Sequence, residues 1–334
     1  MAAVVGFRTE GYCMKTIWKE LCTTIMMAAV LPGLILNISA LLLEGNAQEL
    51  SIMETVTDSA EKVDVPVSIR FPDGSTQPMD MDAYLTGVVL GEMPADFEPE
   101  ALKAQAVAAR TYTAKAVKTG GKHGDGSICT DPACCQAYVS EETYLNGGGT
   151  AENLDKVGRA VLSTSGQVLT YEGELIEATY FSCSGGSTEE AAAVWGTDYP
   201  YLRSVASPGE ENAAHYSDTV CFTTAQFQEM TGCTLAGDPE NWFQTEAYTK
   251  GGGIASMLIC GQSYTGTKLR QMLGLSSTAM TISATGETIT IMTRGYGHRV
   301  GMSQYGADAM AVVGSTYAEI LAHYYPGTTL ETLS

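Results

Sequence analysis

Residues 21–43 run without a single Asp, Glu, Lys or Arg. A bilayer-spanning helix needs about 20 predominantly apolar residues, so this stretch is long enough to cross a membrane. Arg8, Lys15 and Lys19 precede it, and Glu44 and Glu49 follow. Positive charge is retained on the cytoplasmic side, which places residues 1–20 inside and everything after residue 43 outside. A cleaved signal peptide is the competing reading, because Gly45-Asn46-Ala47 resembles a small-residue cleavage site. Signal h-regions run only about 7–15 residues, so the length favours a retained single-pass anchor. Residues 44–62 are acidic and polar without sustained periodicity and read as a linker. Residues 63–334 are then one extracytoplasmic domain.

Within that domain strand and helix patterns alternate. Val65 to Phe71 reads as a strand turned by Pro72-Asp73-Gly74. Met81, Tyr84, Leu85, Val88 and Val89 recur at helical spacing, with Asp80 as N-cap and Pro94 enforcing a stop. A second helix opens at Pro99-Glu100 and runs through Tyr112, so rich in alanine that neighbouring backbones are expected to approach it closely. Residues 120–138 read as loop, and a short helix is expected near 152–160. Gln167–Tyr171 and Leu175–Ser182 look like a hairpin, whereas residues 184–260 give no clear pattern beyond several Gly-rich turns. Thr288–Thr293 reads as a strand leading into a Gly-rich turn and a helix. Thr316-Tyr317-Ala318-Glu319 resembles a capping box for a last helix that stops at Pro326-Gly327. There is no internal repeat, and the class is α+β.

Composition excludes more than it identifies. Hydrophobic residues at 45% with 17% charged argue against wholesale disorder. Lys+Arg of 18 against Asp+Glu of 38 leaves a net charge of −20. Nucleic-acid binding rests on basic residues neutralising phosphates, so no nucleic-acid partner is expected. The 9 cysteines do not form the dense framework of a small secreted disulfide scaffold.

Glu92 continues the apolar stripe 81, 85, 88, 92 of the first helix. A carboxyl group on a core-facing seam is partly desolvated, which raises its pKa and suits a general acid. The bland alternative is a glutamate pointing into solvent from a frayed helix end. His123, Cys129, Cys134 and Cys135 are soft donors close together in a loop, as in structural zinc sites, although the spacing is not a common Cys-x₂-Cys pattern. Adjacent cysteines rarely ligate one ion comfortably, so one of Cys134 and Cys135 is read as a bystander; a disulfide or unpaired thiols are the alternatives. The run from Arg294 to Gly306 lets the backbone approach a ligand. Its His298, Ser303, Gln304 and Tyr305 suit sugar hydroxyls. It lacks the Lys-Ser/Thr of a phosphate-binding loop, and a structural turn is its alternative reading. Ser182 and Ser184 have no local base and are not read as nucleophiles.

Three segments together resemble the stage II sporulation protein D family, which includes an amidase-enhancer branch. The first is Tyr84 to Phe97, containing Glu92-Met93-Pro94, with Glu100 to Tyr112. The second is Cys129-Thr130-Asp131 with Cys135-Gln136-Ala137-Tyr138. The third is Gly295 to Gly306 with Ile320 to Gly327. The resemblance implies a membrane-anchored lytic transglycosylase that cleaves peptidoglycan glycan strands during forespore engulfment, on the mother-cell engulfing membrane. It implies that Glu92 is catalytic and that His123, Cys129 and Cys135 bind zinc, leaving Cys134 as the extra. It further implies a stage II sporulation amidase (protein P) and membrane protein M as partners. Arg299 departs from the resemblance, where the family usually has Gly, and is expected to narrow or recharge the turn.

One carboxyl group suffices for such a reaction. It protonates the glycosidic oxygen and then deprotonates the muramyl C6 hydroxyl, which attacks C1 and closes a 1,6-anhydro ring without water. Ordinary hydrolysis needs two carboxyls. Substrate contacts are expected from Gln105, Arg110 and Tyr112 on the Ala-rich helix and from His298, Ser303 and Gln304 in the Gly-rich run. Strands denuded of stem peptides carry lactyl carboxylates, and a cleft in so acidic a protein needs a local cation to hold them. Arg110, Arg294 and Arg299 are the candidates. Zinc is expected to be structural, since the chemistry needs neither a Lewis acid nor a metal-bound hydroxide. Two rival functions remain: a non-catalytic glycan-binding activator of a cell-wall amidase, and a zinc amidase. The Cys-rich donor set disfavours the second.

Overall fold

A computed structural model describes residues 66–333, all within the unit spanning residues 63–334. The expected tail, membrane span and linker lie outside the described residues. None of the described helices is long and apolar enough to cross a membrane.

Strands β1 (Pro66–Arg70) and β2 (Thr76–Asp80) pair as an antiparallel hairpin. Asp80 leads directly into α1 (Met81–Glu92), its carboxylate accepting from the Ala83 amide at 2.9 Å. The predicted stripe Tyr84, Leu85, Val88 and Val89 is fully buried. The helix stops after Glu92 because Met93, ahead of Pro94, takes an extended conformation at φ −126°, ψ 146°. Helix α2 (Pro99–Thr119) begins on its proline and ends at a left-handed Gly120. Ala101, Ala104, Ala106, Ala108 and Ala109 have no exposed surface. Their small side chains let the surrounding helices and one strand close on α2 as the central element.

The chain then runs through β3 (Ile128–Cys129), parallel to β1, and through α3 (Glu141–Asn146) and α4 (Ala151–Leu162). The expected hairpin is only partly formed. Strand β4 (Gln167–Tyr171) meets β5 (Glu174–Leu175) across a turn in which Glu172 and Gly173 both have positive φ. Beyond Leu175 the chain leaves β4, because Ile176 and Ala178 bury into the core instead. Segment β6 (Tyr180–Phe181) follows, and then the short helix α5 (Ala191–Trp195).

The region without a clear pattern opens an inserted module. It comprises β7 (Ser217–Thr223), α6 (Thr224–Thr231), β8 (Phe243–Tyr248), β9 (Ile254–Ile259), β10 (Gln262–Thr265), α7 (Gly266–Leu273), β11 (Ala279–Ala284) and β12 (Thr288–Arg294). Two antiparallel three-stranded sheets, ordered β10-β9-β8 and β11-β12-β7, enclose a separate core around Phe227, Ile259, Leu269, Ile289 and Ile291. The Gly-rich run then brings β13 (Met302–Ser303) back beside β6 in parallel. Helices α8 (Gln304–Val312) and α9 (Tyr317–Tyr324) complete the main core, α9 with the predicted capping box. Strand β14 (Thr329–Thr332) supplies β4 with its long antiparallel partner. The α+β class is as expected.

Candidate active site

Glu92 stands at the C-terminal end of α1, half-buried. The segment after the cysteine loop crosses α1 in close contact. A Cβ at Gly87 would lie 2.3 Å from the Tyr138 ring, and one at Gly91 would lie 3.1 Å from the Ala137 backbone. That approach lets the Ala137 amide donate to Glu92 Oε1 at 2.7 Å. From the other side the Gln304 amide donates to Oε2 at 3.4 Å. Burial pushes the carboxyl above the ordinary carboxylate range, while these two hydrogen bonds act in the opposite direction. No ion pair holds Glu92 among the described residues, so the neutral acid is accessible at higher pH than for a surface glutamate.

Glu92 opens into a cleft of about 730 Å³. One wall is aromatic: Tyr112, Tyr180, Phe181, Trp195, Tyr199 and Tyr296. Flat apolar rings with polar edges suit sugar rings, which present an apolar face and hydroxyls around it. Tyr180 is oriented by its hydroxyl, which donates to Gln136 Oε1 at 2.8 Å; the Gln136 amide in turn donates to Tyr84 and Thr113. His298 packs against Phe181 and Trp195 with ring centroids 5.6 and 5.2 Å away. Its Nδ1 accepts from the Val300 amide at 3.1 Å, so the neutral ring carries its proton on Nε2. Burial foremost, then the nearby Arg270 charge, pushes His298 down to about 4. It is therefore neutral at physiological pH, with its one N–H turned to the Tyr180 backbone carbonyl. The turn that presents it needs glycine: at Gly301, φ 84°, a Cβ would fall 2.0 Å from the Thr179 carbonyl oxygen.

Of the six expected substrate contacts, the cleft brings together Tyr112, His298 and Gln304. The other three do not line it. Gln105 is fully buried in α2. Ser303 is buried and caps α8, its hydroxyl accepting from the Gly306 amide at 3.3 Å. Arg110 is 1% exposed and pairs with Asp82 at 3.0 Å. Its terminal nitrogens also reach the Thr164 carbonyl at 2.7 Å, Gln167 at 3.3 Å and Val161 at 3.1 Å. The guanidinium thus neutralises the carbonyl end of α4 and locks three helices together, and its Nε, buried without a partner, does not line the cleft. Arg299 is likewise turned away. At φ 64° it sends its side chain into the interior, donating to Ser184, Ser187 and Gly251 carbonyls and pairing with Glu189 at 3.2 Å. Glu189 also accepts from Gly253 and Thr249. Arg299 therefore fastens the inserted module to the main core and does not recharge the cleft. Arg294 is exposed and also lies outside the cleft lining.

Several cleft residues were not anticipated. Glu177 and Lys122 line it, as do Tyr180, Trp195 and Tyr199. Glu177 is ion-paired with Lys115 at 3.1 Å. A signal for it existed: Ile176 and Ala178 alternate with Glu177 and Thr179, placing the latter pair on the face opposite the core. Nothing local marked Trp195, which reaches the wall only through the tertiary placement of α5.

The donors of His123, Cys129, Cys134 and Cys135 all lie within 4.8 Å of one another. Cys134, expected to stand aside, lies in the cluster with the other three. The Asp131 carbonyl accepts from both the Cys134 and Cys135 amides, and this turn directs both thiols inward. Cys134 Sγ lies 3.9 Å from Cys135 Sγ and 3.9 Å from His123 Nε2; Cys135 Sγ lies 3.6 Å from the same nitrogen. A tetrahedral ion with metal–sulfur bonds of about 2.3 Å separates its sulfurs by about 3.8 Å, which the Cys134–Cys135 spacing matches, so the group could hold one such ion. Burial opposes ionisation of Cys129, but the Asp131 amide and the neighbouring His123 and thiols bring it down to about 7. Cys134 and Cys135 also line the cleft, beside the segment that holds Glu92.

A half-buried, desolvated carboxyl group in an aromatic cleft, with a thiol-rich cluster beside it, makes the candidate site on an α+β scaffold. A family model described as "Stage II sporulation protein" matches residues 74–171, which hold Glu92 and all four cluster residues. Stage II sporulation protein D of Bacillus subtilis (strain 168) is 41% identical over 278 residues, covering 82% of this chain and 80% of the relative. The same-named protein of Bacillus amyloliquefaciens is 39% identical over 293 residues, covering 86% and 85%. The chain belongs to the stage II sporulation protein D family. An amidase enhancer of Bacillus subtilis is 32% identical over 303 residues, covering 74% of this chain and 40% of that protein.

Proposed function

We propose that the protein is a peptidoglycan lytic transglycosylase of sporulation, acting on glycan strands denuded of stem peptides during forespore engulfment. The observation that carries this reading is the state of Glu92, a half-buried carboxyl raised by desolvation and held by two hydrogen-bond donors without a cation. As the neutral acid it gives its proton to the glycosidic oxygen while the C1–O bond breaks, and the leaving sugar departs as an alcohol. The resulting carboxylate takes the proton of the muramyl C6 hydroxyl as O6 bonds to C1. Glu92 returns to the acid form, and no water is consumed. The Ala137 and Gln304 donors stabilise the carboxylate between the two steps.

Zinc is the metal proposed for His123, Cys129, Cys134 and Cys135, in a structural role. A site filled by four protein donors has no open position for catalysis. Bound there, it would hold the loop that delivers the Ala137 amide to Glu92. Residues 21–43 are proposed as an uncleaved anchor that keeps the domain on the outer face of the engulfing membrane, with the sporulation amidase and membrane protein M as partners. The similarity to an amidase enhancer supports a second reading, a glycan-binding activator without activity of its own.

Purified protein on denuded strands, with products weighed by mass spectrometry, separates these readings. Products one water lighter than hydrolysis products support the transglycosylase, and Glu92→Gln should reduce them about 10²- to 10⁴-fold. Near-normal release from Glu92→Gln sinks the assignment. Reducing ends would make Glu177 the second carboxyl of a hydrolase. Cleavage seen only with an amidase present would favour the activator.

A further inference from the structure

Of the three arginines expected to hold a carboxylate within the site, Arg110 and Arg299 are buried in structural pairs, and Arg294 lies outside the cleft lining. Among the described residues Lys122 is the one lysine or arginine that lines the cleft. We infer that Lys122 recognises the carboxylate of an acidic sugar substituent, and so selects strands whose muramyl lactyl groups are free acids. The inference rests on the glycan reading above and names its selectivity residue.

Lys122 is exposed, donates one N–H to the Cys134 carbonyl and makes no ion pair among the described residues. An ammonium group has three donors, so two remain for a ligand. The Cys134 contact anchors the side chain at the mouth of a second cavity, about 220 Å³, that shares Tyr112, Lys122, Cys135 and Glu177 with the main cleft. Lys115 lines this side cavity too, but its charge is matched by Glu177. Lys122 is therefore the unmatched positive charge where cleft and side cavity join. The requirement for one is electrostatic. The protein carries a net charge of −20, so the cleft lies in a negative field. An anionic strand entering it is repelled unless a cation meets it. A stem peptide converts the lactyl acid to a neutral amide and removes the group that Lys122 would bind.

The test measures binding, so that it does not depend on turnover. Three glycan tetrasaccharides are compared: free lactyl acid, lactyl methylamide, and chitotetraose without lactyl groups. Wild type should bind the acid about fivefold more tightly than the amide, a margin typical of a solvent-accessible charge pair. The margin should shrink with added salt. Lys122→Gln should bind acid and amide alike, and Lys122→Arg should restore the preference. Unchanged melting temperature and metal content confirm that the loop is intact. A wild-type preference that survives Lys122→Gln overturns the inference. Equal binding of all three by wild type overturns it while leaving the glycan reading standing, whereas no binding of any overturns both.

Discussion

Replacing Arg110 by methionine should lower stability and leave the intrinsic affinity for glycan intact. Arg110 is 1% exposed and Asp82 is 8% exposed, with 3.0 Å between them. Three backbone carbonyls, at Val161, Thr164 and Gln167, share the same guanidinium. Methionine fills much of the volume but leaves the Asp82 carboxylate with only Ser165 beside it, at 2.5 Å. Removing one partner of a buried ion pair costs about 3–5 kcal/mol. Against a typical domain stability of about 5–15 kcal/mol, that is a large share. At about 2–4 °C per kcal/mol for a domain of this size class, the melting temperature should fall by about 6–20 °C. Calorimetry on Arg110→Met, Asp82→Asn and the double variant provides the assay. The double variant should cost much less than the sum, because the second change removes a charge already stranded. Binding to denuded strands, measured well below the melting point, should stay near wild type. An Arg110→Met protein that melts within about 2 °C of wild type yet loses its affinity for strands would refute the structural role.

Glu92→Gln should abolish most activity and also raise the melting temperature at neutral pH. Desolvation raises the folded carboxyl above its unfolded value, so its contribution is fully present at low pH and lost as pH rises through the folded pKa. Glutamine imitates the neutral form, and a lower melting temperature would count against that account. For the same reason wild-type activity should fall as pH climbs past the raised carboxyl pKa. His298 should titrate near pH 4 in a histidine NMR titration assigned with His298→Gln; a midpoint near the ordinary 6.5 would contradict its burial. Its folded pKa is depressed, so the protein should lose stability as pH drops from the unfolded value toward 4. A chelator should lower the melting temperature and reduce activity through loss of the loop. Cys134→Ser should weaken metal retention, and unchanged retention would return Cys134 to the role of bystander.

Much of the scaffold was legible because its signals are local. Asp80 before an apolar stripe, Pro94 after it, Pro99 opening α2 and the Thr316–Glu319 box each act within one helical turn, and each appears where the pattern placed it. Glu92 could be singled out for the same reason, since helix register alone put it on the buried seam. Most of the inserted module was not legible, although Thr288–Thr293 reads as a strand and lies within β12. Strand β7 alternates exposed with half-buried residues and so shows no apolar face, and its partner β12 is distant in sequence. The three arginines show where sequence stops. A guanidinium suits a substrate carboxylate and a buried aspartate equally, and residue type does not say which it meets. Asp82 lies one helix away from Arg110, and Glu189 reaches Arg299 only when the chain returns from the module.

The chain's own order of residues thus determined the α+β class, the helix starts, the acid on the seam and the soft donors in the loop, all properties of neighbours along the backbone. Helix α2, by contrast, runs on from the expected Tyr112 to Thr119. Tertiary structure decided which groups face the cleft. It drew Cys134 into the cluster, sent Arg110 and Arg299 into the core, and left Lys122 at the mouth. Those outcomes depend on desolvation and pairing between segments far apart in sequence, which arise only once the core has closed.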